Sequence, residues 1–209
     1  MDNVFMFKIL VLQTYYGLSD ERTEFEILDR TSFQRFLDIE DDGRIPDRTT
    51  IWSFKEALGE EGAAKLFDQF HHTLNDAGLI GRKGRIVDAS FVDAPRQRNT
   101  RDENDRIKKG DGAPEEWSET KKRQKDVDAR WTKKNDETHY GYKNHVSVDE
   151  ESKLIDRYDT TAASVHDSQV FTELLEEAEV DRVHADSAYK SEEHDKWLES
   201  REIENRIHE

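Results

Sequence analysis

The sequence predicts an α/β fold with a mixed sheet, preceded by an all-α N-terminal domain. Apolar residues recur at helical spacing through the first 80 residues, and near Arg85 the pattern changes to that of strands. A hairpin pattern follows, and then helix and strand alternate. Antiparallel strands followed by such an alternation form a mixed sheet. We therefore expect a helical domain at residues 1–80 and a sheet-containing domain at residues 81–209.

Each N-terminal helix has its own start and stop signals. Val4 to Tyr16 is apolar almost all round, which predicts a buried helix that Gly17 ends. Ser19 is the predicted cap of a second helix, Asp20 to Asp29. Thr31 is the predicted cap of a short third helix. Thr49 or Thr50 is the predicted cap of a fourth, which Gly59 and Gly62 interrupt before a longer helix at residues 63–75.

The second domain begins with a strand around Asp88. The later elements are predicted as two paired strands, a helix, a strand and a helix, at 139–148, 154–160, 167–177, 182–185 and 192–200. Residues 96–136 lie between the first strand and the hairpin. They are charged and poor in aliphatic side chains, which predicts an insertion or mobile loop.

Charge and composition exclude several classes of protein. The net charge is −16, which by itself argues against nucleic-acid binding. Residues 96–143, however, carry 14 Lys and Arg against 11 Asp and Glu, a local net charge of +3. A uniformly acidic remainder is typical of a protein from a salty cytoplasm, and we hold salt adaptation as a hypothesis. The chain has no cysteine, no apolar run long enough to span a membrane and no signal-peptide pattern, so we expect a cytoplasmic protein.

Two aspartates stand where predicted strands end. Asp88 follows Ile86 and Val87, and Asp186 lies 98 residues later, after Val183. If the two strands are neighbours, the carboxylates converge, and hard oxygen ligands of this kind suit Mg²⁺ or Mn²⁺. Such ions activate a water or sugar hydroxyl and stabilise a leaving oxygen.

A structural explanation competes with this one. In so acidic a chain, two aspartates at strand ends also arise by chance or cap the following helix, and spacing alone favours that explanation. Asp93 is excluded as a further ligand, because side chains alternate along a strand and residues 88 and 93 point to opposite faces. The histidines have no spacing typical of a ligand set.

Cations lie beside aromatic residues near the predicted hairpin, a combination that suits phosphate contacts and base stacking. The candidates for DNA binding are Arg130, Lys133, Lys134, Tyr142 and Lys143. The alternative is a solvated charged loop, since acidic residues are interleaved throughout.

Several longer motifs occur in series over nearly the whole chain. They are Tyr16-Gly17-Leu18-Ser19-Asp20, Ser32-Phe33-Gln34-Arg35-Phe36-Leu37, Pro46-Asp47-Arg48-Thr49-Thr50-Ile51-Trp52, Ile86-Val87-Asp88-Ala89-Ser90-Phe91-Val92-Asp93-Ala94-Pro95-Arg96-Gln97-Arg98-Asn99, Asp128-Ala129-Arg130-Trp131-Thr132-Lys133-Lys134, His139-Tyr140-Gly141-Tyr142-Lys143-Asn144-His145, Ser164-Val165-His166-Asp167-Ser168 and Ala185-Asp186-Ser187-Ala188-Tyr189. Together they closely resemble the insertion-sequence transposases of the IS-five type, within the wider DDE group.

The resemblance implies a ribonuclease-H-like catalytic domain behind a helical domain. It implies Asp88 as the first catalytic acid and Asp186 as the second, with Mg²⁺ as the cofactor. Enzymes of this group nick the ends of their element and join the freed 3′ hydroxyl to target DNA. The implied partners are the terminal inverted repeats, target DNA and further copies of the chain. Residues 49–58 are the candidate for DNA contact in the helical domain, and residues 130–143 in the catalytic one.

The sequence departs from the family in two respects. It opens inside the first apolar helix, and the third acid, a glutamate on a basic downstream helix, is not found. Glu204 and Glu209 have the right side chain in the wrong setting. We therefore expect a catalytic fold without its C-terminal part and an inactive copy. The alternatives are a non-catalytic DNA-binding or dimerising fragment that regulates transposition, and a stand-alone nuclease.

Overall fold

The computed structural model describes residues 1–39, 43–94, 97–110, 112–134 and 136–208. The chain divides into two compact units, Met1–His72 and Thr73–Glu209. The sequence places the boundary somewhat later, after residue 80, and the functions assigned to the two parts remain predictions. Glu209 lies outside the described residues.

The first two helices begin and end where the sequence predicts. Helix α1, Asn3–Tyr16, ends at Gly17, which adopts a left-handed conformation with φ 62°. Helix α2, Asp20–Asp29, begins after Ser19, whose hydroxyl accepts a hydrogen bond from the backbone N–H of Arg22. These two ends confirm that local capping signals set the first helical hairpin.

The next two helices differ from prediction at their starts. Helix α3, Thr31–Phe36, has no side-chain cap, because Thr31 lies inside it. Helix α4, Arg48–Asp76, is capped by Asp47, whose carboxylate accepts from the N–H of Thr50 at 2.7 Å. The predicted threonine caps are therefore wrong, because the extended residue that turns into each helix stands earlier in the chain. Gly59 interrupts α4 as predicted, with φ 57° and ψ −173°.

One apolar cluster forms the core of the helical unit. It joins buried side chains from all four helices and the segment after α3: Met6, Ile9, Leu12, Ile27, Phe33, Leu37 and Ile51. Burial of these side chains is the main stabilising contribution to this unit, since most of the stability of a helix in a protein comes from the packing of its apolar face.

The second unit is built on a mixed sheet. Its strands are β1 Gly84–Asp93, β2 Arg130–Lys134, β3 Glu137–Asp149, β4 Ile155–Ala162, β5 Arg182–Ala185 and β6 Glu204–Ile207. β1 and β4 both pair antiparallel with β3, while β5 lies parallel to β1 and β6 parallel to β5. The order β4-β3-β1-β5-β6, with β2 added beside β3, is the ribonuclease-H-like arrangement that the resemblance implies.

Four helices complete the described part of this unit. They are α5 Arg101–Gly110, α6 Glu119–Gln124, α7 Phe171–Leu175 and α8 Glu192–Ser200. The predicted helix at 167–177 is a 3₁₀ turn, Asp167–Val170, that runs into α7. Helices α7 and α8 join strands that run parallel, as such connections require.

The helices α7 and α8 cover one face of the sheet. Val87, Val183 and Ala185 of the strands pack there against Phe171 and Leu174. Side chains alternate between the two faces of a strand, so residues of β1 with odd numbers face this core and those with even numbers face the other side. We call these the covered face and the open face.

The charged segment after β1 is not a simple loop. It holds α5 and α6, and it buries Ile107 and Trp117 to 2% and 6% exposure. Of the two alternatives that the sequence predicts, an insertion or a mobile loop, the mobile loop is therefore wrong for most of this segment, and the insertion stays a prediction. Single apolar anchors on short, highly charged helices give too weak a periodic signal to be recognised in the sequence.

Candidate active site

Asp88 and Asp186 each stand two residues beyond the last register pair of the neighbouring strands β1 and β5. In the parallel pair β1 and β5, Ile86 lies opposite His184, and two residues further along each chain stand the two aspartates. Asp186 continues the extended backbone of β5, with φ −78° and ψ 172°. Side chains two residues apart lie on the same face, and adjacent strands are about 4.8 Å apart. If this register continues for two more residues, it sets side by side two carboxylates that are far apart in sequence.

Both aspartates are exposed, and each commits one oxygen to a nearby backbone N–H. Asp88 Oδ1 accepts from Ala89 N at 2.7 Å, and Asp186 Oδ1 accepts from Ala188 N at 3.0 Å. The structural explanation is thus realised for Asp186, which caps the 3₁₀ turn Ser187–Tyr189. Neither carboxylate forms an ion pair with any residue that the structure describes. One oxygen of each remains available to a cation.

Tyr189 ends the 3₁₀ turn that Asp186 caps, and its side chain is 1% exposed in the apolar core of the covered face. Burial raises the pKa of Tyr189 above its ordinary value, and the negative charges of Asp167, Asp88 and Asp186 raise it further.

Asp167 belongs to a buried ion pair. Lys143 Nζ donates to Asp167 Oδ1 and to the carbonyl oxygen of Val165, both at 2.7 Å, and the two charged side chains are only about a tenth exposed. His145, two residues along β3, is fully buried on the same face. Burial lowers the pKa of His145, so its imidazole is neutral at pH 7.

This burial corrects one expectation from the sequence. Lys143 was a candidate for DNA contact, but its ammonium group lies in the interior and is neutralised by Asp167. The sequence pattern showed a cation beside aromatic residues and could not show the carboxylate that reaches it from 24 positions away. Asp167 and Tyr189 were not singled out as site residues, although both occur in motifs of the resemblance.

Tyr142 and Arg130, two more of the residues predicted to bind DNA, form hydrogen bonds within the protein. The Tyr142 hydroxyl donates to both carboxylate oxygens of Asp126, at 2.7 and 2.8 Å, and burial and that negative charge raise its pKa. Arg130 donates to the backbone carbonyls of Val127 and Ala129. Both side chains are half-buried and hold the segment before β2 against the sheet.

Lys133 and Lys134 are the exposed cations of this group. Lys133 forms an ion pair with Asp136 in which both side chains are well exposed. Lys134 Nζ lies 5.9 Å from the ring centroid of Phe91, which stacks on His139 with centroids 4.0 Å apart. Both lysines lie on β2, which pairs antiparallel with the first residues of β3 at the edge of the sheet.

The candidate segment of the helical unit, residues 49–58, begins α4. Ile51 is buried in the helical core and Phe54 packs against it, whereas Trp52 is 50% exposed. Packing in the helical core therefore accounts for the presence of Phe54, whereas half of the Trp52 side chain remains exposed to solvent.

The described residues show neither a larger cluster of metal-ligating side chains nor a membrane-spanning helix. The described residues contain no cluster of three or more His, Cys, Asp or Glu side chains able to hold a metal ion. In the same part of the chain, every helix is too short or too polar to cross a membrane.

Comparison with known proteins points to one family. Residues 80–206 match the family model described as Transposase DDE domain, and residues 1–57 match that described as Transposase domain (DUF772). Among solved structures, the chain is similar to the piggyBac transposase in a cryo-EM synaptic complex with hairpin DNA. The two are 14% identical with a TM-score of 0.40, and the match covers 98% of this chain and 40% of the other. Because the first match spans more than half of its length, this chain belongs to the transposase DDE domain family.

Proposed function

We propose that this chain acts in the transposition of an insertion sequence, and that Asp88 and Asp186 are the first two acids of its metal-dependent site. The observation that carries the proposal is the parallel pairing of β1 with β5, whose register, continued by two residues, supports a level position of the two aspartates on the open face. Membership of the transposase family supports the same reaction class, the nicking of element ends and their joining to target DNA. The IS-five type, suggested by the motifs, is part of the proposal.

The donor set fits a hard divalent cation. Each carboxylate keeps one oxygen clear of its backbone hydrogen bond, and neither has a cationic neighbour among the described ion pairs. Oxygen donors of this kind suit Mg²⁺ or Mn²⁺, which retain several waters and bind phosphate oxygens. When bound, the ion would supply Lewis-acid activation of a hydroxyl and neutralise charge at the leaving oxygen.

The proposed DNA surface in the catalytic unit centres on Lys133 and Lys134. Both are exposed on β2, where they point to opposite faces of the strand, and Lys134 lies beside the stacked rings of Phe91 and His139. Such a combination of cations and aromatic rings suits phosphate contact and stacking. In the helical unit, the exposed half of Trp52 keeps residues 49–58 as the corresponding candidate. The proposed partners are the terminal inverted repeats and target DNA, bound by more than one copy of the chain.

Metal binding tests the proposal directly. Titration of the purified chain with Mn²⁺, followed by electron paramagnetic resonance, should show a site in the wild type. Asp88→Asn and Asp186→Asn should each weaken that site at least tenfold, because each removes a negative ligand. Asp93→Asn is the matched control, since Asp93 is exposed on the same strand but on the other face. Unchanged binding in the Asp88 and Asp186 variants would contradict the proposal.

DNA assays separate this proposal from the alternative, a non-catalytic fragment that binds DNA and regulates transposition. The observation that favours the alternative is that the described residues include no third acid clustered with the pair. Mg²⁺-dependent joining of element-end DNA supports a complete catalytic function. Binding of terminal repeats without cleavage supports the regulatory fragment, and hydrolysis without joining supports a stand-alone nuclease.

A further inference from the structure

Helix α1 is apolar on two sides, and the single chain buries only one of them. One side packs into the core of the helical unit. The other side is a row of exposed residues at intervals of three and four, the spacing of one helix face: Val4, Phe7, Val11 and Tyr15. A helix that is apolar all round is normally buried, so the exposed row indicates a surface that another molecule covers.

This row of α1 forms one wall of an apolar groove. Phe7, Val11 and Tyr15 line the groove on that side, and Leu66 and Phe70 line it from the second half of α4. The volume of the groove is about 530 Å³. All these residues belong to the helical unit, so the groove lies within that unit. Both walls are apolar helix faces, which is the kind of surface against which a further helix packs.

The charges around the groove argue against DNA and against a membrane surface as its occupant. Every described residue that lines the groove is uncharged, whereas contact with DNA phosphates requires Lys or Arg. Helices that lie on a membrane surface are rich in Lys and Arg on their polar face. Helix α1 has one such residue, Lys8, which is paired with Asp38, and residues 60–76 carry one lysine against four acidic residues. The groove therefore suits the apolar surface of a protein.

The exposed apolar area approaches the area that a stable dimer buries. Phe7, Tyr15 and Phe70 are 42%, 80% and 62% exposed. Because one aromatic side chain buries about 150–250 Å², these fractions correspond to roughly 350 Å² of ring surface per chain. The smaller stable interfaces bury about 600 Å² per partner. The three rings supply more than half of that area, and Val4, Val11 and the partly exposed leucines of the groove add to it.

We propose that this groove is a dimer interface and that its occupant is helix α1 of a second copy of the chain. The exposed row of each α1 is both a wall of its own groove and the ridge that fills the groove of the other copy. A surface that pairs with itself about a two-fold axis is the commonest way in which identical chains associate. The two α1 helices and the second halves of the two α4 helices then share one four-helix core.

This inference goes beyond the proposed function. It locates the contact between copies of the chain, and it requires neither the acid pair nor a metal ion. Its failure and the failure of the metal site are therefore separate results.

The oligomeric state of the full chain tests the inference. Sedimentation equilibrium of the purified wild type, without DNA or metal, should show a monomer–dimer equilibrium at micromolar concentrations. Each copy has a net charge of −16, so the dimer should become tighter between about 0.1 M and about 1 M KCl as repulsion is screened. A wild type that stays monomeric at both salt concentrations, or a dimer that weakens with salt, overturns the inference.

Val11→Glu and Phe70→Glu test which surface the dimer uses, one substitution in each wall of the groove. Each places a carboxylate without a partner in the interface and should weaken dimerisation about 100-fold or more. Leu28→Glu is the matched control, because Leu28 is 57% exposed on α2 and is not among the residues that line the groove. It should dimerise as the wild type does.

Far-UV circular dichroism checks that the variants fold, as expected for side chains that are exposed in the single chain. Dimerisation of both groove variants with the affinity of the wild type, or equal weakening in Leu28→Glu, assigns the dimer to another surface and overturns the inference. Val11→Glu should still bind Mn²⁺ as the wild type does, since the substitution lies in the helical unit.

Discussion

Arg85 is a buried cation held between two buried carboxylates on β1. Its guanidinium donates to Asp156 Oδ2 at 2.8 Å and to Asp149 Oδ1 at 3.1 Å, and all three side chains are less than a tenth exposed. Burial alone would raise the pKa of Asp149, but hydrogen bonds from Ser152 and Gly81 and the charge of Arg85 hold it below its ordinary value. The three residues connect β1, β3 and β4 at the end of the sheet opposite the candidate site.

Arg85→Met should lower the free energy of unfolding by about 3–5 kcal/mol, because it leaves two buried aspartates without a cation. Urea denaturation measures the change. Arg106→Met is the control, since the Arg106–Glu116 ion pair is well exposed and such pairs contribute little. Equal, small effects of the two substitutions would show that the buried ion pairs of Arg85 with Asp149 and Asp156 are not needed for stability.

Lys143 shows the limit of sequence reasoning at the scale of the residue. A lysine next to tyrosines in a charged region indicates an exposed cation, and no neighbouring residue in the sequence indicates that it is buried. The structure buries it because the turn at Asp167 supplies a carboxylate at 2.7 Å, which offsets the cost of desolvating the ammonium group. Burial of a charge depends on its partner, and here that partner is remote in the sequence.

At the scale of the element, α5 and α6 are joined by one glutamate. Glu103 accepts hydrogen bonds from Lys121 and Lys125 and from the backbone N–H of Thr100. Burial raises the pKa of Glu103, but these hydrogen bonds and charges outweigh it and lower the pKa to about 2 from 4.5. The segment that the sequence presented as a charged loop is thus held together by its charges.

The pH dependence of this segment follows from the sign of that shift. The folded pKa is depressed, so the stabilisation is fully present above pH 4.5 and is lost as the pH falls towards 2. Amide hydrogen exchange should therefore show protection of α5 and α6 decreasing in that window. Glu103→Gln should lower their local stability by roughly 1.5–3 kcal/mol at neutral pH and remove the pH dependence. Protection that decreases equally in the variant would assign the effect to other carboxylates.

Helix starts were predicted correctly only where the capping residue was unambiguous. Ser19 stands before an apolar repeat and does cap α2, whereas the predicted cap of α4, Thr49 or Thr50, lies inside that helix, which Asp47 caps. A cap is defined by the one residue whose backbone is extended just before the helix, and composition does not determine which of several polar neighbours that is.

At the scale of the whole molecule, the net charge of −16 opposes compaction at low salt. If the protein is salt-adapted, its unfolding midpoint should rise between about 0.1 M and about 1 M KCl, because the screening length falls from about 10 Å to about 3 Å. Differential scanning calorimetry measures it. A midpoint that stays constant or falls would count against salt adaptation. Binding of DNA through Lys133 and Lys134, by contrast, should weaken over the same range.

The sequence by itself determined the order and type of most elements, because helical and strand periodicities are local properties of the chain. It also determined the family, through motifs spread over nearly its whole length. It left β2 and the helices α5 and α6 unrecognised within the charged segment, where few apolar residues mark a period.

Only the tertiary structure decided which strands are neighbours and which charges are paired. The strand that precedes Asp186 pairs parallel with the strand that carries Asp88, a contact between segments almost 100 residues apart. The same folding brings Asp167 to Lys143. Local sequence sets the backbone conformation of each segment, but the burial and pairing of charges depend on contacts that form only when distant segments pack together.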